Sequence, residues 1–331
     1  MQYGLSKLLT TRAENVVNNP KVEFSFYSKH SNFPLIVAPK LSGLILTEWI
    51  IQNRDMFDQK VKIHGAILLR GFGINTVEKF QDFIKAFDVT PLEYKQRSSP
   101  RFEVAKNIYD STTYPNDQSI NMHSENSYAL TWAMRIVFCC IQPAQEQGET
   151  PIADNRYVFK YLSSATREKF LNKGVKYIRN ISKGIGLSWE EIFQTDDKKI
   201  VEEECRRNGM AFKWEDDGER LVLEWNNNAI YDHPYSGEQI WFNHAFFFNK
   251  YALNEDVLST FQSDDELPFQ TYFGDGTKIT REEIEEIRLA YEKSTTVFPW
   301  LQGDVLFLDN MLMAHGRRPY KGDRKIIVSM F

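Results

Sequence analysis

The stretch Asn121-Met122-His123-Ser124-Glu125 sets an imidazole and a carboxylate two residues apart. On an extended strand, side chains at i and i+2 share a face. His123 and Glu125 would then present a nitrogen and an oxygen donor side by side. A further histidine on a facing strand would complete a set of two histidines and one carboxylate. That facial arrangement holds Fe(II) in non-haem oxygenases and leaves three coordination positions open. His-x-Glu alone recurs by chance on many strand surfaces. What lifts it here is a partner near the other end of the chain, His315, in Asp309-Asn310-Met311-Leu312-Met313-Ala314-His315-Gly316-Arg317.

Such donors need strands to hold them, and the flanking sequence supplies strand signals. Ile136-Val137-Phe138-Cys139-Cys140-Ile141 is a continuous apolar run, as are Gly65–Leu69 and Gly303–Leu308. Leu35-Ile36-Val37, Val297-Phe298 and Lys325–Met330 read as further strands, and Ile240 to Phe248 as an aromatic one. Asp216-Asp217-Gly218 between two apolar runs predicts a hairpin. Helical spacing runs from Leu44 to Phe57, and Thr76 caps a helix through Phe87. Asn155 is placed to cap another, and Thr166 to Asn172 predicts one that stops at Gly174. Thr195 opens a helix ending near Gly209. Ser188 with Glu191, and Thr280 with Glu283, form capping boxes. There are no internal repeats or Pro/Ser linkers. The expectation is one domain over residues 1–331. It is mainly β, a jelly roll wrapped by helices, with a mostly helical insertion over about 155–235.

Bulk properties narrow the function. A chain of 331 residues with 42% hydrophobic content can bury a large core. A net charge of −5, with both signs interspersed, gives no footprint for nucleic acid. No apolar run approaches a membrane span, and the N-terminus lacks a secretory layout. Cys139, Cys140 and Cys205 have no metal spacing and read as small core residues. The default compartment is the cytoplasm.

Several stretches together resemble one family. They are His64-Gly65-Ala66 to Arg70-Gly71-Phe72, Met122 to Tyr128, and Gly148-Glu149-Thr150-Pro151-Ile152-Ala153-Asp154. His233-Pro234-Tyr235-Ser236-Gly237-Glu238 with Trp241-Phe242-Asn243 follows. Gly274-Asp275-Gly276, Gly303 to Asn310, and His315-Gly316-Arg317 to Gly322-Asp323-Arg324 complete the set. In residues, order and interval they resemble the TauD/TfdA superfamily of Fe(II)/2-oxoglutarate oxygenases, from about His64 to Phe331. The likeness is strongest to its SyrP-like and clavaminate-synthase-like branch, which uses His-x-Glu.

The resemblance implies a double-stranded β-helix, with His123, Glu125 and His315 on Fe(II) and with 2-oxoglutarate and O2 as co-substrates. A retained carboxylate ligand implies oxygen transfer over halogenation. Arg324 would clasp the far carboxylate of 2-oxoglutarate, for which a guanidinium offers a matching fork. Thr150 would donate its hydroxyl to the same group. Asn121, Asn126 and Arg317 are candidate substrate contacts, and Asn243 is a weaker one. Arg317 shares the His315 face and either meets a substrate carboxylate or pairs with Asp309. Tyr128, Trp132, Trp241 and Phe242 are candidate pocket walls, with ordinary core as the commoner fate. His233 and His244 read as structural, and Arg70 as an anchor.

The implied activity is hydroxylation of an unactivated C–H bond in an amino acid or amino-acid-derived metabolite, in a natural-product pathway. Some relatives act on residues tethered to a carrier protein. Desaturation or ring closure with the same cofactors is the alternative. A zinc hydrolase ranks lower because it needs no dicarboxylate clamp, and an inactive binding protein because the ligand candidates are intact.

Overall fold

The computed structural model describes residues 19–28, 31–89, 102–182, 184 and 186–331. His30 lies outside them. Two sheets of a double-stranded β-helix face each other. The larger is ordered Val22–Phe26, Leu35–Pro39, Ala66–Leu69, Val305–Asp309, Arg135–Gln142, Lys325–Met330, Ile108–Asp110, Glu103–Ala105. Its pairings are antiparallel except Leu35–Pro39 with Ala66–Leu69. Arg135–Gln142 is its centre. That strand is covered on both faces, so it reads as an unbroken apolar run and shows no period-2 alternation. Cys139 and Cys140 are buried there as unpaired thiols, and Cys205 is buried elsewhere, so all three are core residues.

The smaller sheet runs Thr295–Thr296, Ile152–Asp154, Met313–Arg317, Ile120–His123, all antiparallel. His315 pairs directly with His123, and the register shifts between His315 and Arg317. Gly316 permits this close approach: a Cβ there would stand 2.7 Å from the Ile120 carbonyl oxygen.

Among the described residues, the segment 155–235 carries helices together with strands. Four helices are present: Asn155–Tyr161, Ser164–Lys173, Trp189–Phe193 and Lys198–Arg207. It also contributes Val175–Ile181, Ala211–Glu215 and Arg220–Asn227, which join Phe269–Phe273 in a third, four-stranded sheet. The Asp-Asp-Gly hairpin forms, pairing Ala211–Glu215 with Arg220–Asn227. Alternating burial along Arg220–Asn227 shows why: one face packs and the other is wetter. Both capping boxes form. The predicted strand Ile240–Phe248 shrinks to Gln239–Trp241, and Val297-Phe298 is not a strand. The helix expected over Leu44–Phe57 breaks at Asn53 into Leu46–Gln52 and Arg54–His64. Asp154, not Asn155, caps the first inserted helix, accepting from the Arg156 N–H at 2.9 Å. Arg70 anchors as expected, bonding Asp304 at 2.7 Å.

Candidate metal centre and its cavity

His123 is the last residue of its strand, and its Nδ1 lies 2.9 Å from the Asn121 carbonyl oxygen. That contact orients the ring and leaves Nε2 for the centre. His315 sits opposite on the paired strand, with ring centroids 4.5 Å apart. Phe138 of the larger sheet packs edge-on against His315 at 5.1 Å, so both sheets meet at this point.

Glu125 reaches the site differently from the i, i+2 reading. The strand ends at His123, and Glu125 lies in the following turn. No ladder bond fixes it there. Asn310 does so instead: its Oδ1 accepts from the Glu125 N–H at 2.8 Å. Its amide donates back to the Glu125 carbonyl at 2.9 Å and to the Ala133 carbonyl at 2.9 Å. Asn155 braces the same turn, donating to Ser124 Oγ and to the Met311 carbonyl, each at 2.9 Å. Neither asparagine was singled out for the site from sequence. Nothing local in the sequence marks Asn310 as a clamp across 185 positions. With these supports, one donor atom from each of His123, Glu125 and His315 lies within 4.8 Å of the others.

All three face a cavity of about 410 Å³. Thr150 and Arg324 line the same cavity. Arg324 Nε donates to the Gly148 carbonyl at 2.9 Å, and another guanidinium nitrogen stands 3.4 Å from Thr150 Oγ1. Gly148 has φ +74° and makes room: a Cβ there would lie 3.1 Å from Arg324 Cδ. Thr150 Oγ1 also accepts from the Trp300 indole N–H at 3.1 Å. The hydroxyl therefore receives two donors and keeps its own proton for a ligand oxygen. Arg324 meets no carboxylate in an ion pair among the described residues. Burial, reinforced by the charge of Arg317, pulls its pKa down to about 10. An anion bound there would relieve that strain.

The remaining candidates divide. Asn121 lines the cavity, and its amide donates to the Ala252 carbonyl at 3.0 Å. Asn126 does not line it. Its φ of +55° explains an asparagine at that turn instead. Arg317 lines the cavity but makes no bond to Asp309, which pairs with Arg135 at 2.6 Å and His233 at 3.2 Å. The Arg317 guanidinium instead binds the carbonyls of Tyr114, Pro115 and Gln118, tying that loop over the cavity. Asn243 is consumed by main chain, donating to the Ala229 carbonyl and accepting from the Ala245 N–H. Tyr128, Trp132, Trp241 and Phe242 are core and not wall. The aromatic wall is Phe138, Phe247, Phe248 and Phe269. His244, read from sequence as structural or at most a pocket-rim residue, lines the cavity too.

A β-helix presenting a two-histidine, one-carboxylate face beside a buried guanidinium defines an oxygenase-type centre. The chain belongs to the TauD/TfdA family: the model described as "Taurine catabolism dioxygenase TauD, TfdA family" matches residues 31–330. It is 36% identical over 276 residues to the dapdiamide synthesis protein DdaC of Enterobacter agglomerans, covering 82% of this chain and 84% of that protein. It is 28% identical over 304 residues to a clavaminate synthase-like protein of Arabidopsis thaliana, covering 89% and 90%. The crystal structure of PvcB from Pseudomonas aeruginosa superposes with a TM-score of 0.56 at 14% identity, over 95% of this chain and 92% of that one. At that identity the likeness bears on the fold. No described helix is long and apolar enough to cross a membrane.

Proposed function

We propose that this chain is an Fe(II)/2-oxoglutarate-dependent oxygenase that hydroxylates a C–H bond of an amino-acid-derived metabolite. The observation that carries it is one cavity holding both parts. A His123/Glu125/His315 donor set sits at one point, and a buried, carboxylate-free Arg324 with a proton-bearing Thr150 at another. A zinc hydrolase would use the first and leave the second without a task. One relative is named for dapdiamide synthesis, and one structural neighbour as an Fe, α-ketoglutarate-dependent oxygenase from an isonitrile pathway. Both names favour small-molecule biosynthesis, with a substrate either free or tethered to a carrier protein. Three buried thiols fit a reducing cytoplasm.

His123, Glu125 and His315 would hold Fe(II). Bound together, Fe(II) and 2-oxoglutarate supply O2 activation for C–H oxidation. Arg324 and Thr150 orient the far carboxylate of the co-substrate. Asn310 keeps Glu125 aimed although its turn has no ladder bond. The phenylalanine wall excludes water and brings the C–H bond close to the centre. Charge agrees with this assignment. Glu125 is the one carboxylate among the described residues lining the cavity, against Arg317 and Arg324. A dianionic co-substrate and a substrate bearing a carboxylate suit that balance.

The test is anaerobic addition of Fe(II) and 2-oxoglutarate. The wild type should develop the weak visible charge-transfer band of the chelate, and Glu125→Ala should lose it. A protein that takes up zinc and shows no band is a hydrolase instead. Succinate release across free and carrier-bound amino acids then locates the substrate.

A further inference from the structure

The aromatic side of the cavity contains one imidazole for which the assignment above has no task. His244 follows the short strand Gln239–Trp241. Its backbone N–H donates to the Tyr177 hydroxyl at 3.0 Å, and its carbonyl accepts from the Phe248 N–H at 3.1 Å. With the main chain satisfied, the ring sits among Tyr128, Phe248 and Phe247, at centroid distances of 4.9, 4.7 and 5.1 Å. It meets the His123 ring edge-on at 5.8 Å, which puts it beside the metal-binding face.

Its two nitrogens differ. Nδ1 lies 2.7 Å from Ser127 Oγ, a fully buried hydroxyl. Nε2 has no hydrogen-bond partner among the described residues, and the residue lines the cavity. Ser127 Oγ has no second partner either. A buried hydroxyl proton must go to an acceptor, and Nδ1 is the acceptor within reach. So Nδ1 is bare and Nε2 carries the proton. The result is a neutral imidazole with its N–H turned to the cavity, set in an otherwise apolar wall.

We propose that His244 binds the substrate, its Nε2–H donating to a carbonyl-type oxygen held next to the metal site. This rests on the oxygenase reading of the cavity. It adds a substrate class: compounds bearing an amide, carboxamide or carboxylate oxygen near the oxidised carbon. A buried donor penalises a substrate that leaves it unpaired, by roughly 5- to 100-fold in kcat/KM.

Two measurements test it. The first is nitrogen NMR on histidine-labelled enzyme loaded with Zn(II) and 2-oxoglutarate, with His244→Gln to assign the signal. His244 should be the neutral Nε2–H tautomer near pH 7, and Ser127→Ala should mix the tautomers. An Nδ1–H tautomer in the wild type overturns the proposal. The second compares succinate formation driven by asparagine with that driven by leucine, its apolar counterpart in shape. His244→Phe should shrink the asparagine-to-leucine ratio roughly 5- to 100-fold, and His244→Gln should restore part of it. The band with Fe(II) and 2-oxoglutarate should survive in both variants. An unchanged ratio with the band intact also overturns the proposal. A wild type that never shows the band overturns the oxygenase reading itself.

Discussion

The two sides of the cavity are built by different means. The sheet side carries the charged and coordinating groups, and main-chain ladders hold most of them. His315 and His123 face each other because Met313–Arg317 pairs with Ile120–His123. Thr150 and Arg324 stand just before Ile152–Asp154 and Lys325–Met330. The opposite side comes from loops and from Phe269, the first residue of a third-sheet strand. Phe247 and Phe248 follow a strand that has already ended, and Phe269 stacks on Phe248 at 3.9 Å. It holds rings in place of charges, and His244 is its titratable group. Rigid paired backbone can keep several ligand atoms aimed at one point. A loop-borne aromatic wall can change shape without disturbing them. On the proposed function, the sheet side would set the chemistry and the aromatic side the choice of substrate.

That contrast can be broken at the sheet side first. Arg324→Ala should raise the 2-oxoglutarate requirement at least about 30-fold, since it strips the cation from a buried carboxylate. The visible band titrated with 2-oxoglutarate measures this. Saturation at wild-type concentrations would show that another group binds the co-substrate.

Asn310→Ala should weaken metal binding about 10- to 100-fold, the usual effect of removing a group that orients a ligand. Competition against a chelator reads it without turnover. An unaltered affinity would mean that the Glu125 turn is stiff without its clamp. Thr150→Val should be the mildest change, raising the 2-oxoglutarate requirement about 2- to 10-fold through one lost hydrogen bond. Isothermal titration under anaerobic conditions resolves that range. If Thr150→Val matches Arg324→Ala in size, the hydroxyl and not the guanidinium dominates that end of the cavity.

The Asp309 network bears on stability more than on binding. Burial pushes its carboxyl up, yet His233 and Arg135 outweigh it and hold the pKa below the usual aspartate range. Its contribution is therefore complete above the unfolded value near 4 and is lost as pH falls through the lower folded one.

Much of the sheet side was legible in the chain. Ile136–Ile141 and Lys325–Met330 read as strands because covered strands are locally apolar or alternating. His123, Glu125 and His315 read as a set because a His-x-Glu pair is joined by a distant histidine within motifs that resemble one family. Where local pattern misled, the cause was tertiary. The apolar run Ile240–Phe248 resembles a strand, but most of it packs into core and cavity wall without a ladder partner. The 155–235 segment looked helical because its caps are strong local signals, while its strands find partners only through the third sheet.

What the sequence by itself determined is the donor chemistry: which imidazoles, which carboxylate, which guanidinium, and an order of strands able to present them. Only the tertiary structure decided how they are held and what else joins them. Asn310 reaches Glu125 across 185 positions, Arg317 spends its guanidinium on the carbonyls of a distant loop, and Ser127 meets the imidazole of a histidine 117 residues away. Hydrogen bonds between remote segments leave no periodicity in a chain, because either partner alone is just another polar residue until folding brings the second within 3 Å.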